Sequence, residues 1–150
     1  MAQTLTRLLV HVIYSTKNRE PFITREVAPE LHRYLGGIAR NHASPALTIG
    51  GVADHVHLLI SFAKTVAVAD LLMHLKRDSS KWIKTKGPQF ADFAWQEGYG
   101  AFTIGESQIE AITRYIETQE EHHQSRSFQD EFRAILTKYG VEFDERLVWG

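Results

Sequence analysis

The stretch Ala53-Asp54-His55-Val56-His57-Leu58-Leu59-Ile60-Ser61 constrains this chain more than any other. It is rich in β-branched and apolar residues and follows Gly50-Gly51 closely enough to be the return arm of a hairpin. Side chains alternate between the faces of a strand, so His55 and His57 share one face while Val56 and Leu58 share the other. Same-face residues two apart lie roughly 6.5–7 Å apart along the strand, close enough for two imidazoles to converge on one divalent ion or one phosphate oxygen. The bland alternative is a pair of half-exposed strand histidines. With eight histidines in 150 residues, a His-x-His has little weight alone.

The flanking elements follow from periodicity and caps. Thr6 to Ser15 reads as a strand with His11 in its middle, where a backbone-satisfied structural histidine is expected. The polar loop Thr16 to Pro21 offers Lys17 and Arg19 to a phosphate or to solvent. Thr24 is expected to cap a helix from Arg25 to about His42, with Val27, Leu31, Tyr34, Leu35 and Ile38 on its apolar face. Ala46–Val52 pairs with His55–Phe62. Thr65 is expected to cap a second helix, Val66 to Lys84, and Gly87-Pro88 to end it. Phe90 to Phe102 reads as a bent strand broken by glycines. Ser107 with Glu110 predicts a capping box for a third helix to about Gln124, and Ser127 starts a fourth, Phe128 to Tyr139, closed by Gly140. The order β-α-β-β-α-β plus two helices predicts an α+β, ferredoxin-like antiparallel sheet with helices on one face. One domain over 1–150 is expected, with a core to about residue 105 and the C-terminal helices beyond it.

Composition bounds the function classes. No cysteine is present, which removes disulfides, thiolate metal sites and cysteine nucleophiles. No apolar run approaches the ~18 residues of a membrane span and the start lacks a signal-peptide pattern, so a cytoplasmic protein with no membrane partner is expected. Net charge is −1, but it is polarised: Lys64, Lys76, Arg77, Lys81, Lys84 and Lys86 cluster on and around the second helix, while the third is acidic. Lys76, Arg77, Lys81 and Lys84, with the Ser79 and Ser80 hydroxyls, suit phosphate contact; a solvated helix face is the alternative.

On the third helix, Ile109, Ile112 and Ile116 form the apolar stripe, and Tyr115, Gln119 and His122 fall on an adjoining one. A tyrosine hydroxyl and an amide four residues apart allow a nucleophile and a metal ligand to share one site, although an amphipathic helix with a rim tyrosine looks the same. Taken with LLVHVIYSTKNREPFI, DHVHLLISF, LLMHLKRDSSKWI, WQEGYGAFTIGES, YIETQEEHH and SFQDEF, the chain resembles the single-tyrosine HUH transposases of the insertion-sequence 200/605 group nearly end to end. The resemblance implies His55 and His57 as paired metal ligands, Gln119 as the third and Tyr115 as the nucleophile. Family members often carry asparagine before that glutamine; here it is Thr118.

The resemblance further implies a DNA transposase that cuts and rejoins single-stranded DNA with hairpin ends through a 5′-phosphotyrosine, using Mg²⁺ or Mn²⁺. Lys76, Arg77, Ser80, Lys81, Lys84, Lys17 and Arg19 are then the expected DNA contacts, and the resemblance implies a homodimer whose tyrosine helix can complete the partner's site. A histidine and amide ligand set without a carboxylate would leave the ion's charge little neutralised. The rival readings are a non-catalytic nucleic-acid-binding module and a metal-dependent nuclease that uses water. His122 and His123 fit either solvated residues at a helix end or helpers at the phosphate.

Overall fold

The computed structural model describes residues 2–150. Four strands form one antiparallel sheet: β1 (Leu8–Ser15), β2 (Ala46–Val52), β3 (His55–Phe62) and β4 (Gly100–Thr103), in the order β2-β3-β1-β4. Helices α1 (Ala28–Asn41) and α2 (Val68–Lys84) join the strands in the expected β-α-β-β-α-β order. Three more follow: α3 (Ile109–Glu117), α4 (Gln119–His122) and α5 (Phe128–Lys138).

Strand alternation sorts the molecule into three layers. Val10, Val12 and Tyr14 of β1 and Val56, Leu58, Ile60 and Phe62 of β3 pack with Leu31, Leu35, Leu71, Leu72 and Leu75 of α1 and α2. The alternate residues face the other way. Leu9 and Leu59 meet Ile104 and Ile116, and Ile13 meets Phe102, Phe128, Phe132 and Leu136. The C-terminal helices therefore cover the second face of the sheet, and β3 is buried on both sides. This is why β3 reads as a nearly continuous apolar run, and why histidines within it cannot be half-exposed.

α3 lies very close to the sheet. A Cβ added at Gly50 of β2 would collide with the backbone carbonyl of Ile116, and glycine removes that obstacle.

Several expected boundaries move for identifiable reasons. Thr24 Oγ1 accepts from Val27 N at 3.2 Å, but regular α1 starts only at Ala28, with Pro29 in its first turn where a missing N–H costs nothing. Thr65 does not cap α2, which begins at Val68 after an extended Ala67. The Ser107–Glu110 capping box is replaced by a tight turn, Glu106–Gln108, in which Gln108 Oε1 accepts from Gly105 N at 2.8 Å. The expected helix to Gln124 breaks at Thr118 (φ −107°, ψ 28°), whose hydroxyl donates back to the Arg114 carbonyl at 2.9 Å. Ser127 does cap α5, accepting from Asp130 N, and Gly140 follows α5 with φ +65°.

The bent strand expected over Phe90–Phe102 is mostly irregular: only Gly100–Thr103 pairs with β1, and Trp95 makes one isolated bridge to Thr16. The carbonyls of Gln96, Glu97 and Gly98 are satisfied by the Lys76 ammonium at 2.9, 2.9 and 2.7 Å rather than by a neighbouring strand.

Candidate active site

His55 and His57 lie on the sheet face covered by α3, α4 and α5, and both are fully buried. A buried polar ring needs partners, and each imidazole uses both nitrogens. His55 Nδ1 meets Asp54 Oδ1 at 2.7 Å, and its Nε2 meets Gln119 Oε1 at 2.9 Å. His57 Nδ1 meets Nε2 of His11 at 2.8 Å, and its own Nε2 meets Glu131 Oε1 at 3.1 Å. Asp54 and His11 thus fix the ring orientations from behind, the usual arrangement behind metal-binding imidazoles. His11 is bonded to His57 rather than to the backbone partner expected for it.

The helices bring the remaining groups. The break at Thr118 ends α3 and turns Gln119 inward, where it is 1% exposed. Tyr115, on the last turn of α3, sets its ring nearly perpendicular to that of His57, with centroids 5.7 Å apart, and its hydroxyl donates to Glu131 Oε2. Gln119 Nε2 donates to the same oxygen at 3.2 Å. Tyr115 reaches the histidines of its own chain because Ile104, just after β4, and Ile116 pack together on the sheet. Within one chain, Tyr115 thus stands beside His57, His55 and Gln119.

Glu131 at the centre was absent from the sequence reading. Its carboxylate stands among the histidines, amide and tyrosine expected there. The signal for it was present: Phe128, Phe132 and Leu136 define the buried stripe of α5, and Glu131 is an acid on that stripe with no exposure. The C-terminal segment braces α5. The Arg19 guanidinium donates to the Trp149 carbonyl at 3.0 Å, and the Trp149 ring lies 6.0 Å from that of Phe132.

Electrostatics divide the two histidines. Burial opposes charge on His55, but its bonds to Asp54 and Glu131 outweigh burial and raise its pKa to about 9. Burial prevails at His57, whose bond to Glu131 is insufficient, and its pKa falls to about 4. Burial and the neighbouring His57 lower His11 to about 3. Burial and the adjacent Glu131 carboxylate raise the Tyr115 hydroxyl well above its ordinary value. Burial would raise the Glu131 pKa, but bonds to His123, His55 and His57 hold it well below the usual range.

The donors fit a divalent cation. His55, His57 and Glu131 each offer one ligand atom, and those atoms lie within 4.8 Å of one another. Imidazole nitrogen and carboxylate oxygen are ordinary ligands for such ions.

Other expected site residues lie apart from this cluster. α2 packs on the opposite sheet face. Lys76 is committed to the three carbonyls and lies 5.1 Å from the Tyr14 ring centroid, so it acts as a structural clamp. Ser79 is buried, donating to the Leu75 carbonyl and accepting from Trp95 Nε1. Arg77 pairs with Asp78, while Ser80 is half-buried and Lys81 and Lys84 are exposed. Lys17 is exposed; Arg19 is tied to Trp149. On the histidine side, a cleft of about 640 Å³ is lined by residues that include Arg25, Asp54, His123 and Arg126. A second of about 340 Å³ includes His11, Tyr115, Arg126 and Lys138. His122 packs its ring 4.6 Å from that of Tyr115. Among the described residues no helix is long and apolar enough to cross a membrane.

Comparison with known proteins places the family. Residues 4–119 match the family model described as "Transposase IS200 like". The chain is 30% identical over 118 residues to the ISDra2 transposase TnpA of Deinococcus radiodurans, covering 75% of this chain and 84% of that one. A crystal structure of a protein assigned as a transposase from Deinococcus radiodurans R1 superposes with a TM-score of 0.63 at 27% identity, covering 79% of this chain and 95% of that one. A REP-associated tyrosine transposase bound to a REP hairpin shares the fold, with a TM-score of 0.55 at 11% identity, covering 77% and 70%. Tertiary architecture and sequence similarity lead to one conclusion: this chain belongs to the IS200-like transposase family.

Proposed function

We propose that this transposase cleaves and rejoins single-stranded DNA by transesterification, with Tyr115 as nucleophile. The observation that carries the reading is the Tyr115 hydroxyl held on Glu131, within a buried cluster containing His55, His57 and Gln119. Tyr115 Oη attacks a phosphodiester in line; its O–H bond breaks and the proton passes to Glu131 Oε2, the carboxylate oxygen it already touches. An Oη–P bond forms as the P–O3′ bond breaks. The departing 3′-oxygen takes a proton from solvent water to become a free 3′-OH, leaving a 5′-phosphotyrosine on the protein. Attack by another 3′-OH reverses these steps and rejoins the strand. Such exchanges would excise and insert an insertion sequence without ATP.

A divalent ion, Mg²⁺ or Mn²⁺, would be held by His55, His57 and Gln119 and would polarise the non-bridging phosphate oxygens. Asp54 and His11 keep the two imidazoles turned toward it. Arg126 and Lys138 line the cleft beside Tyr115 and suit the phosphates that flank the cut. The surface of Arg77, Ser80, Lys81 and Lys84, with Lys17, is proposed as a further contact for DNA bearing hairpin ends. The working unit is proposed to be a homodimer in the cytoplasm.

The test incubates the protein with single-stranded DNA and Mn²⁺ and resolves the products on a denaturing gel. A covalent protein–DNA band is expected, lost in Tyr115→Phe. Cleaved DNA without that band would mean attack by water, and uncut bound DNA a binding module; either result overturns the proposal.

A further inference from the structure

The acid at the centre of the cluster comes from beyond the part of the chain that defines the family. The family match ends at residue 119, while Glu131 projects from α5, a helix anchored by its own apolar stripe. Three imidazole nitrogens close on one oxygen of this carboxylate. Glu131 Oε1 lies 3.1 Å from His57 Nε2, 3.1 Å from His123 Nε2 and 3.3 Å from His55 Nε2. Gln119 Oε1 stands 2.9 Å from His55 Nε2. Donor atoms that share an ion at about 2.0–2.2 Å are themselves about 2.9–3.5 Å apart, so these separations suit one coordination shell.

His123 closes the ring around this oxygen: its Nδ1 donates to the Arg126 carbonyl at 2.6 Å, and its Nε2 points at Glu131 Oε1. His55, His57 and Glu131 each offer one ligand atom, all within 4.8 Å of one another and all fully buried, as one shared cation requires.

Resting on the metal reading under Proposed function, we propose that Glu131 is itself a ligand of the divalent ion through Oε1, alongside His55, His57 and Gln119. The carboxylate lowers the formal charge of the loaded centre from +2 to +1 and supplies a hard oxygen, the donor that Mg²⁺ and Mn²⁺ favour over imidazole. Its other oxygen holds the Tyr115 hydroxyl, so one side chain links nucleophile and metal. Metal binding then depends on α5 and on the segment that braces it.

Mn²⁺ titration of the full chain without DNA, following the free-ion resonance, tests this independently of activity. Wild type should bind one ion, and Tyr115→Phe should bind equally well. His55→Ala with His57→Ala should not bind, and Glu131→Gln should lose more than about tenfold in affinity. Because Glu131→Gln can also disturb packing, Mn²⁺-soaked crystals of the unaltered chain give the second reading. The anomalous peak should lie within about 2.4 Å of a Glu131 oxygen. Wild-type affinity in Glu131→Gln, or a peak at the histidines but more than about 3 Å from Glu131, overturns this proposal and leaves the histidine site standing. No binding by wild type and no peak at the histidines overturns both.

Discussion

Gly50→Ala tests whether the close approach of α3 to the sheet sets the position of the nucleophile. The added Cβ would overlap the Ile116 carbonyl oxygen and stand 2.9 Å from Ile116 Cγ2 and 3.1 Å from the carbonyl carbon. Regaining ordinary contact, near 3.5 Å, requires α3 to lift by about 1 Å. Rotating the Ile116 side chain cannot relieve the clash, because the nearest obstructing atom is the backbone carbonyl oxygen. Overpacking of this kind costs about 1–3 kcal/mol, or a Tm lower by roughly 3–10 °C in a chain of this size. The functional cost is larger. Ile116 adjoins Tyr115, so lifting the backbone carries the hydroxyl away from Glu131 and His57, and a 1 Å misplacement is worth about 100-fold in rate. Thermal melts and the rate of covalent-adduct formation give both quantities. A Gly50→Ala protein with unchanged Tm and unchanged adduct rate would refute the argument that this contact positions the tyrosine.

Three further outcomes follow from the same geometry. In chelator, His55 favours folding fully below about pH 6.5 and loses that contribution as pH rises through about 9, because its folded pKa is raised. His57 and His11 act oppositely, with folded values lowered to about 4 and 3, so stability also falls as pH drops below about 6.5. Melts across pH 4–10 should therefore show a maximum near neutrality; a steady rise from pH 6.5 to 9 would contradict the His55 assignment. Arg126→Gln and Lys138→Gln should each lower the slope of log affinity against log salt by about 0.7 for single-stranded DNA, and an unchanged slope would move the DNA path away from the Tyr115 cleft. Lys81→Gln with Lys84→Gln measures by the same slope whether DNA also reaches α2. Finally, mixing His55→Ala/His57→Ala chains with Tyr115→Phe chains separates the two site arrangements: adduct recovered in a verified mixed dimer means that α3 completes the partner's site, and no recovery means that each chain uses its own tyrosine.

The parts of this protein legible in the sequence are those governed by neighbours along the chain. A nearly continuous apolar, β-branched run specifies β3, and the i, i+3, i+4 stripes specify α1 and α2, because such patterns record the burial of a local element. The same logic places His55 beside His57 on one side of β3, and Tyr115 near Gln119 on consecutive helical turns. Local pattern was weaker where atoms distant in sequence satisfy the backbone. The segment before β4 looks like a strand by composition, yet its carbonyls are bound by Lys76, about twenty residues earlier. The expected phosphate-binding lysine became a clamp for the same reason.

Tertiary structure decided the rest of the site. His11 lies 46 residues from His57, and Glu131 lies 74 residues from it. Neither distance is encoded by a spacing rule; both arise because β1 pairs with β3 and α5 packs across their second face. Glu131 illustrates the limit well. Along α5 it is one acid among several, and it becomes the central ligand candidate only when the stripe that carries it is pressed against the histidine face. Burial then turns an ordinary carboxylate into the group that three imidazoles, an amide and the tyrosine hydroxyl all approach.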